Sequence, residues 1–206
     1  AIVLDLCCGN GRHGQLLANE GMTVIGVDSS PFLLEEAQKN ALSTGCGIHL
    51  VEGDMRHIPL KPVCDAVINL FTSFGFFEED DNRRVLGEVA GVLKPGGKFL
   101  LDYWNPYVVT QLDGTRNWWW ISDTMLALAE VEYDPSSGRL SDYRTVIELP
   151  AGTVRKTVNR VRFYFPTELE AILAGVGLKV CAMYGDFDGS PFLMESRRLI
   201  TIAEKL

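Results

Sequence analysis

The chain has 206 residues, enough for one domain with a full core, and its composition (47% hydrophobic, 22% charged) is that of a soluble globular protein without repeats or low-complexity tracts. A formal net charge of −8 argues against a protein that wraps nucleic acid, because that affinity comes mainly from Lys and Arg neutralising phosphates. The five cysteines, Cys7, Cys8, Cys46, Cys64 and Cys181, fit neither C-x-x-C metal pairs nor a disulfide framework, which indicates a reducing, cytoplasmic compartment and no metal. The opening "AIVLDLCC" is too short to span a membrane and lacks the basic flank of a signal peptide. With no initiator Met ahead of what reads as a strand, natural residues are expected before Ala1.

In chain order, Ile2 to Leu6 reads as a buried strand, followed by a glycine loop and a helix from about His13 to Glu20 that Gly21 stops. "TVIGVD" (Thr23 to Asp28) is the next strand. Ser30 looks like an N-cap with Pro31 at the first helical position, leading into an amphipathic helix through Ala41. "GIHLVEGD" (Gly47 to Asp54) and "DAVINLF" (Asp65 to Phe71) are the third and fourth strands. Val85, Leu86, Val89, Val92 and Leu93 then keep helical spacing up to Lys94-Pro95-Gly96-Gly97, and "KFLLDYW" (Lys98 to Trp104) is the fifth strand. The order β-α-β-α-β-β-α-β implies a parallel sheet with helices on both faces.

Beyond Trp104 the rhythm changes. Four strand-like runs between about Asn117 and Phe165, separated by Asp134-Pro135-Ser136-Ser137-Gly138 and Pro150-Ala151-Gly152, predict an inserted antiparallel meander. Thr167-x-x-Glu170 reads as a capping box opening a helix with Leu169, Ile172, Leu173 and Val176 inward. Val180 to Tyr184 and Arg198 to Ala203 add two closing strands, one of them antiparallel. The predicted fold class is therefore α/β, a doubly wound, seven-stranded, mostly parallel sheet. Residues 1–105 and 166–206 form the α/β domain, and 106–165 the β insertion, which covers an acceptor site or forms a dimer contact.

Gly9, Gly11 and Gly14 spell G-x-G-x-x-G, nominally a dinucleotide fingerprint, and Asp28 ends the second strand about 20 residues on, where a carboxylate can accept from ribose hydroxyls. Three features point away from a diphosphate. Asp5 places a carboxylate just ahead of the glycines, which repels pyrophosphate and attracts an ammonium. Asp54, in "EGDM", sits at the end of the third strand, where it can accept from an adenine amino group while the following amide meets a ring nitrogen. No catalytic domain of dehydrogenase size follows.

The set "VLDLCCGNG", "VIGVDSSPFLLEEAQ", "VEGDMRHIP", "CDAVINLFTSFGFF" and "LKPGGKFLLD" resembles the class I S-adenosylmethionine-dependent methyltransferases. "YGDFDGSPF…ESRRLI" also resembles the last two strands of a subgroup acting on small molecules. The resemblance implies a seven-stranded sheet with its last strand antiparallel, and S-adenosyl-L-methionine as cofactor. It implies that Asp5, Gly9 and Gly11 frame the methionine part, that Asp28, followed by Ser29, holds the ribose, and that Asp54 and Met55 recognise adenine. Asn69, Leu70 and Phe71 would lie along the cofactor and face the acceptor. Many relatives carry helices ahead of the first strand that lid the site, and nothing in this sequence matches them.

Methyl transfer from a sulfonium is an in-line displacement, so placement and exclusion of water carry much of the catalysis. An ammonium or hydroxyl acceptor also needs deprotonation, for which His13 and Tyr103 are the candidates. His13 acts chemically or else caps and packs at the helix start; His49 and His57 read as a strand and a loop residue. Tyr103, Trp104 and Asn105 end the fifth strand, where they line the acceptor pocket or belong to the strand end. Asp186 and Asp188 hold the acceptor or build a turn around Gly185 and Gly189. Trp118 and Trp120 share a strand face opposite Trp119, as an aromatic cage or as packing against the main domain or a second subunit. Arg144, Arg160 and Arg162, with Asp142 and Glu148, read as a polar sheet face, and Cys7 and Cys8 as small apolar side chains.

The absence of an Asn/Asp-Pro-Pro-Tyr motif after the fourth strand, which reads "NLFTSFGF", disfavours amino groups of nucleobases or glutamine and points to a small-molecule acceptor. No nucleic acid or membrane partner is expected, and a homodimer is open. Two rivals stand beside this reading: an NAD-dependent oxidoreductase, and a non-catalytic S-adenosylmethionine-binding module.

Overall fold

The computed structural model describes residues 1–206. Its main sheet has seven strands in the order β10-β11-β5-β4-β1-β2-β3. They are β1 (Ile2–Leu6), β2 (Thr23–Asp28), β3 (Ile48–Glu52), β4 (Cys64–Asn69), β5 (Leu93–Trp104), β10 (Leu178–Tyr184) and β11 (Arg198–Lys205). Only β11 runs antiparallel, against both β5 and β10. Strands β1 and β4 lie side by side although two strands separate them in sequence, so the chain winds one way from β1 and the other way from β4. Right-handed crossovers in opposite directions put helices on both faces. The β1/β4 boundary is the topological switch point, where open α/β sheets leave a crevice beyond the strand ends.

Local sequence explains each helix. In α1 (Arg12–Asn19) the left-handed Gly11 is the N-cap, and a Cβ there would crowd the Ala37 Cβ of α2 at 3.1 Å. Ser30 caps α2 (Pro31–Thr44), its hydroxyl accepting from the Leu33 amide at 3.3 Å. This helix runs past Ala41 to end on left-handed Gly45. The predicted apolar stripe of α3 (Glu79–Val92) is buried at Val85, Leu86, Val89 and Val92. Val3, Leu4, Asp5 and Leu6 are all buried, as expected of a strand covered on both faces.

Three details differ from the sequence reading. Lys94-Pro95-Gly96-Gly97 does not precede β5 but lies within it, as a bulge where pairing with β4 jumps from Cys64–Leu93 to Ala66–Lys98. The α5 helix (Pro166–Ala174) is capped two residues earlier than Thr167-x-x-Glu170 suggested: the Phe165 amide donates to Glu168 Oε2 at 2.8 Å. A short helix α4 (Pro106–Val109), with Asn105 as N-cap and Pro106 at its first position, and a 3₁₀ turn (Thr110–Leu112) precede the meander where the sequence reading placed no element.

The second sheet is the four-stranded antiparallel meander β6 (Arg116–Ser122), β7 (Met125–Asp134), β8 (Arg139–Glu148) and β9 (Thr153–Arg162). Tyr133, Leu140 and Val161 are cross-strand neighbours on one face at its base, and all three pack on the main core. The base is also tied down by polar contacts. The Arg162 amide donates to the Gly75 carbonyl at 2.8 Å, and the Arg162 guanidinium to Glu168 at 2.6 Å. Trp118, Trp119 and Trp120 stay exposed, so they do not pack on the main domain; the Arg144 guanidinium covers Trp119 at 5.3 Å.

Candidate functional site

Only three non-glycine residues have positive φ: Cys7 (63°), Phe71 (58°) and Thr72 (61°). All three lie just beyond the ends of β1 and β4, the two strands at the switch point. A non-glycine residue in the left-handed region is strained by about 1–3 kcal/mol, and such strain persists where surrounding contacts over-determine it, typically at a functional site. Around Cys7 the restraint is visible: the Cys7 and Cys8 amides both donate to the Val27 carbonyl, at 2.8 and 3.1 Å. Cys8 packs over Gly26, where an added Cβ would come within 2.9 Å of its sulfur, which agrees with its reading as a small apolar side chain. Burial first, then the charges of Asp5 and Asp28, pushes both thiols up to about 12, so they stay protonated at neutral pH.

The carboxylates singled out in the sequence gather along this edge. Asp5 is buried, and its Oδ2 has no hydrogen-bond partner. Burial pushes its pKa up to about 6, opposed by the Gly14 amide and reinforced by the charge of Asp28. Asp28 closes the glycine loop onto β2: Oδ2 accepts from the Gly9 amide at 2.8 Å and Oδ1 from Ser30 at 2.9 Å. Each carboxylate oxygen carries two lone pairs, so one on each remains for a pair of vicinal hydroxyls. Gly9 itself is left-handed (φ 54°) with open space where a Cβ would stand.

A cavity of about 150 Å³ opens beside these groups, between the ends of β1, β2 and β3. Leu6, Cys7, Val27, Met55 and Phe77 give it apolar walls, and Ser29, Gly53 and Asp54 are its polar members. The Cys7 and Met55 sulfurs touch at 3.8 Å. Asp54 is less free than the sequence suggested. Its Oδ1 accepts from the Arg56 amide at 2.8 Å and its Oδ2 from the Arg56 guanidinium at 2.6 Å, and these bonds hold its carboxyl down to about 2. The same guanidinium bonds Asp81 at 3.0 Å and lies over the Phe77 ring at 4.4 Å. A larger cavity of about 600 Å³ lies on the meander, against Trp118, Leu128 and Tyr143, and none of these carboxylates lines it.

The end of β4 provides the other wall. Asn69 is buried: its Nδ2 donates to the Leu6 carbonyl at 3.0 Å, while its Oδ1 has no partner. Leu70 is half-buried, and Phe71 stands out from the surface. His13 stacks on Phe71 (centroids 5.1 Å apart), which in turn stacks on Phe187 at 6.0 Å. Burial and then the Arg12 charge lower the His13 pKa, so its imidazole is neutral at pH 7 and can take a proton.

Other candidates turn out to be structural. Tyr103 is 2% exposed, its hydroxyl donates to the Tyr164 carbonyl at 2.7 Å, and burial raises its pKa well above the usual phenol range, so it cannot serve as an acid or base. Asn105 is fully buried. Its Nδ2, with two protons to share, lies within hydrogen-bond distance of the Leu193, Met194 and Ser196 carbonyls at 3.0, 2.9 and 2.8 Å, and its Oδ1 caps the Tyr107 amide. Trp104 is exposed at the strand end. Asp186 and Asp188 accept from the Phe187 and Ser190 amides, the turn-building alternative.

Sequence reasoning passed over Asp102 and Arg198. Both are buried; Arg198 Nη2 donates to Asp102 Oδ2 at 2.8 Å and Nε to Oδ1. The signal was present, since an acid inside the apolar run "FLLDYW" must find a partner when buried.

Fold and edge together define a class: a doubly wound α/β protein whose switch-point crevice is lined by carboxylates and an apolar slot, suited to a cationic nucleoside. Residues 3–97 match the methyltransferase-domain family. Over 206 residues the chain is 26% identical to the cypemycin N-terminal methyltransferase of a Streptomyces species, covering 98% of this chain and 82% of that one. It is 37% identical over 106 residues to the glycine/sarcosine N-methyltransferase of Parasynechococcus marenigrum, covering 50% of this chain and only 38% of that protein. Among solved structures, the CcbJ methyltransferase of Streptomyces caelestis superposes with a TM-score of 0.88 at 26% identity, over 98% of this chain and 82% of that one. These comparisons support a class I S-adenosylmethionine-dependent methyltransferase, an enzyme that uses S-adenosyl-L-methionine as cofactor. The dinucleotide reading of the glycine loop is thereby set aside. No helix is long and apolar enough to cross a membrane.

Proposed function

We propose that this chain methylates an amine nitrogen of a small molecule. The observation that carries the site is the clustering of all three left-handed non-glycine residues at the β1 and β4 ends, beside a buried carboxylate with an unpartnered oxygen. Nitrogen is favoured over oxygen or sulfur because relatives reported above are named N-methyltransferases.

In this reading Asp5, Gly9 and Gly11 hold the amino-acid end of the cofactor, with Asp5 opposite its positive charge. Asp28 and Ser29 take the ribose through the lone pairs left after Gly9 and Ser30 are satisfied. Met55, with the Asp54 segment, borders the base in the apolar slot. Asn69 acts from behind, fixing the β4 end to β1, while Leu70 and Phe71 face the reaction. The bound cofactor supplies an activated methyl group on a sulfonium, so the residues need only align the acceptor and exclude water. An amine attacks through its lone pair and is protonated at neutral pH when free. The neutral imidazole of His13, beside Phe71, is placed to take that proton.

We place the protein in the cytoplasm, in keeping with five free cysteines. The division into an α/β domain (1–105 and 166–206) and a β insertion (106–165) follows the two sheets. Of the two roles for the insertion, the exposed Trp118 and Trp120 favour contact with a second copy.

The deciding experiment is a labelled-methyl screen over primary and secondary amines, amino sugars, phenols and thiols with the full-length protein, with calorimetry of S-adenosylhomocysteine and NADH alongside. S-Adenosylhomocysteine should bind and label should enter an amine. Label confined to phenols or thiols would reject nitrogen, binding without any transfer would make the chain a cofactor-binding module, and preferential NADH binding would end the proposal.

A further inference from the structure

We propose that Asp102 and Arg198 are positioning residues for methyl transfer: a buried ion pair that fixes the Phe71–Thr72 backbone and seats the Phe71 and Phe187 rings on the acceptor side. The inference rests on the site assignment above.

Asp102 is fully buried on β5 and Arg198 is 5% exposed at the start of β11. A buried ion pair is seldom the most stabilising choice, since an apolar pair of similar volume often does as well or better, so its presence asks for another reason. The reason is what else the aspartate holds. Its Oδ2 accepts the Phe71 amide at 2.8 Å as well as Arg198 Nη2, and its backbone carbonyl accepts the Thr72 amide at 3.0 Å. Phe71 and Thr72 are consecutive left-handed residues, and both of their amides end on this one residue. A hydrogen bond onto a carboxylate is charge-assisted and stronger, and the paired guanidinium fixes that carboxylate in direction.

The other side of the guanidinium meets the aromatic rings. Arg198 Cζ lies 5.2 Å from the Phe71 centroid and 5.4 Å from that of Phe187. Those rings are themselves 52% and 54% exposed, although the ion pair beneath them is sealed. The two rings thus shield the pair from water, and the pair anchors two aromatics that present free surface beside His13. Positions so strained and so exposed do not settle by hydrophobic burial alone; a directional, charged anchor fixes them. Asp102 and Arg198 touch neither cofactor nor acceptor in this arrangement and act through Phe71 and Phe187.

The test compares the wild type with Asp102→Asn, Asp102→Asn/Arg198→Met and Phe187→Ala. The single Asn variant leaves a guanidinium buried without its partner and is expected to lose stability. The double variant removes both charges together, and Phe187→Ala changes an exposed position that the fold does not need. Three quantities are read: hydrogen exchange at the Phe71 and Thr72 amides, S-adenosylhomocysteine affinity, and KM against kcat for the amine found in the screen. In the double variant, exchange at the Phe71 amide should speed up about tenfold, the loss of one charge-assisted hydrogen bond, while the Thr72 amide, bonded to the backbone carbonyl of residue 102, and both amides in Phe187→Ala, which keeps the Asp102 carboxylate, stay near wild type. Acceptor KM should rise by about the same factor, with S-adenosylhomocysteine affinity kept within about threefold. Wild-type exchange at the Phe71 amide in the double variant, or an unchanged acceptor KM in either variant, overturns the proposal and leaves the ion pair purely structural. A wild-type protein that does not bind S-adenosylhomocysteine overturns the site assignment, and this inference with it.

Discussion

In the proposed site, burial of Asp5 would link pH to cofactor binding. Its pKa rises from 3.8 to about 6 because burial disfavours the charged form. The folded value lies above the unfolded one, so the native state holds the proton between those pH values. Stability of the ligand-free protein therefore falls as pH rises from about 4 to about 6, by roughly 3 kcal/mol in total, and is flat beyond through this group. A cation seated beside Asp5 favours the ionised carboxylate and must expel that proton. We expect S-adenosylhomocysteine, through its ammonium, to bind more weakly as pH falls below about 6, with proton release at pH 5.5 seen by calorimetry in buffers of different ionisation enthalpy. Asp5→Asn should remove the pH dependence. Binding at pH 5.5 without proton release would place the ammonium elsewhere.

Among the elements, the junction of β9 with the loop after β4 is the tightest. Gly75 is left-handed (φ 99°), and a Cβ there would collide with the Arg162 carbonyl oxygen and stand 3.1 Å from Val161 Cγ1. The Arg162 backbone cannot yield easily, because its own amide is bonded to the Gly75 carbonyl. Gly75→Ala should destabilise by on the order of 2–4 kcal/mol, from the strained φ and the overpacking together. Gly87, on an exposed turn of α3 with nothing near a Cβ, is the counterpart. Gly87→Ala should stabilise by up to about 1 kcal/mol, because alanine loses less backbone entropy in a helix. Equal melting temperatures for the two variants would mean that the meander is not seated on the core through this contact.

For the whole molecule, the unusual feature is apolar surface left uncovered. Trp118 and Trp120 stand on the meander face opposite Tyr133, Leu140 and Val161, with Leu128 and Val158 also exposed on that face. Strands β6 and β9 are both free edges of the four-stranded sheet. Exposed aromatic faces and open edges are surfaces that proteins usually bury or guard. We expect light scattering to give about twice the 22.8 kDa chain mass, and Trp118→Ser/Trp120→Ser to return a monomer with little change in melting temperature. A wild-type monomer at tens of micromolar would leave the meander as an acceptor-site cover.

The sequence by itself determined most elements of this protein and the class of its cofactor. The helix cap at Ser30, the apolar period of α3 and the order of strands are local signals, written in neighbouring residues. The same holds for Asp5, Gly9 and Asp28, because a strand end followed by a glycine turn places its flanking residues on the sheet edge whatever the rest of the chain does. Tertiary structure alone decided which polar groups remained free. Tyr103 and Asn105 sit at a strand end like Asp5 and Asp28, yet burial against Tyr164 and the 193–196 loop turned them into scaffold. Asp54 was claimed by Arg56, and Asp102, inconspicuous in its apolar run, met Arg198 from 96 residues away to fix Phe71. Strand ends are a property of local sequence, whereas the partner of a buried charge is set by long-range packing, since only the folded chain brings the two together and excludes the water that would otherwise satisfy each.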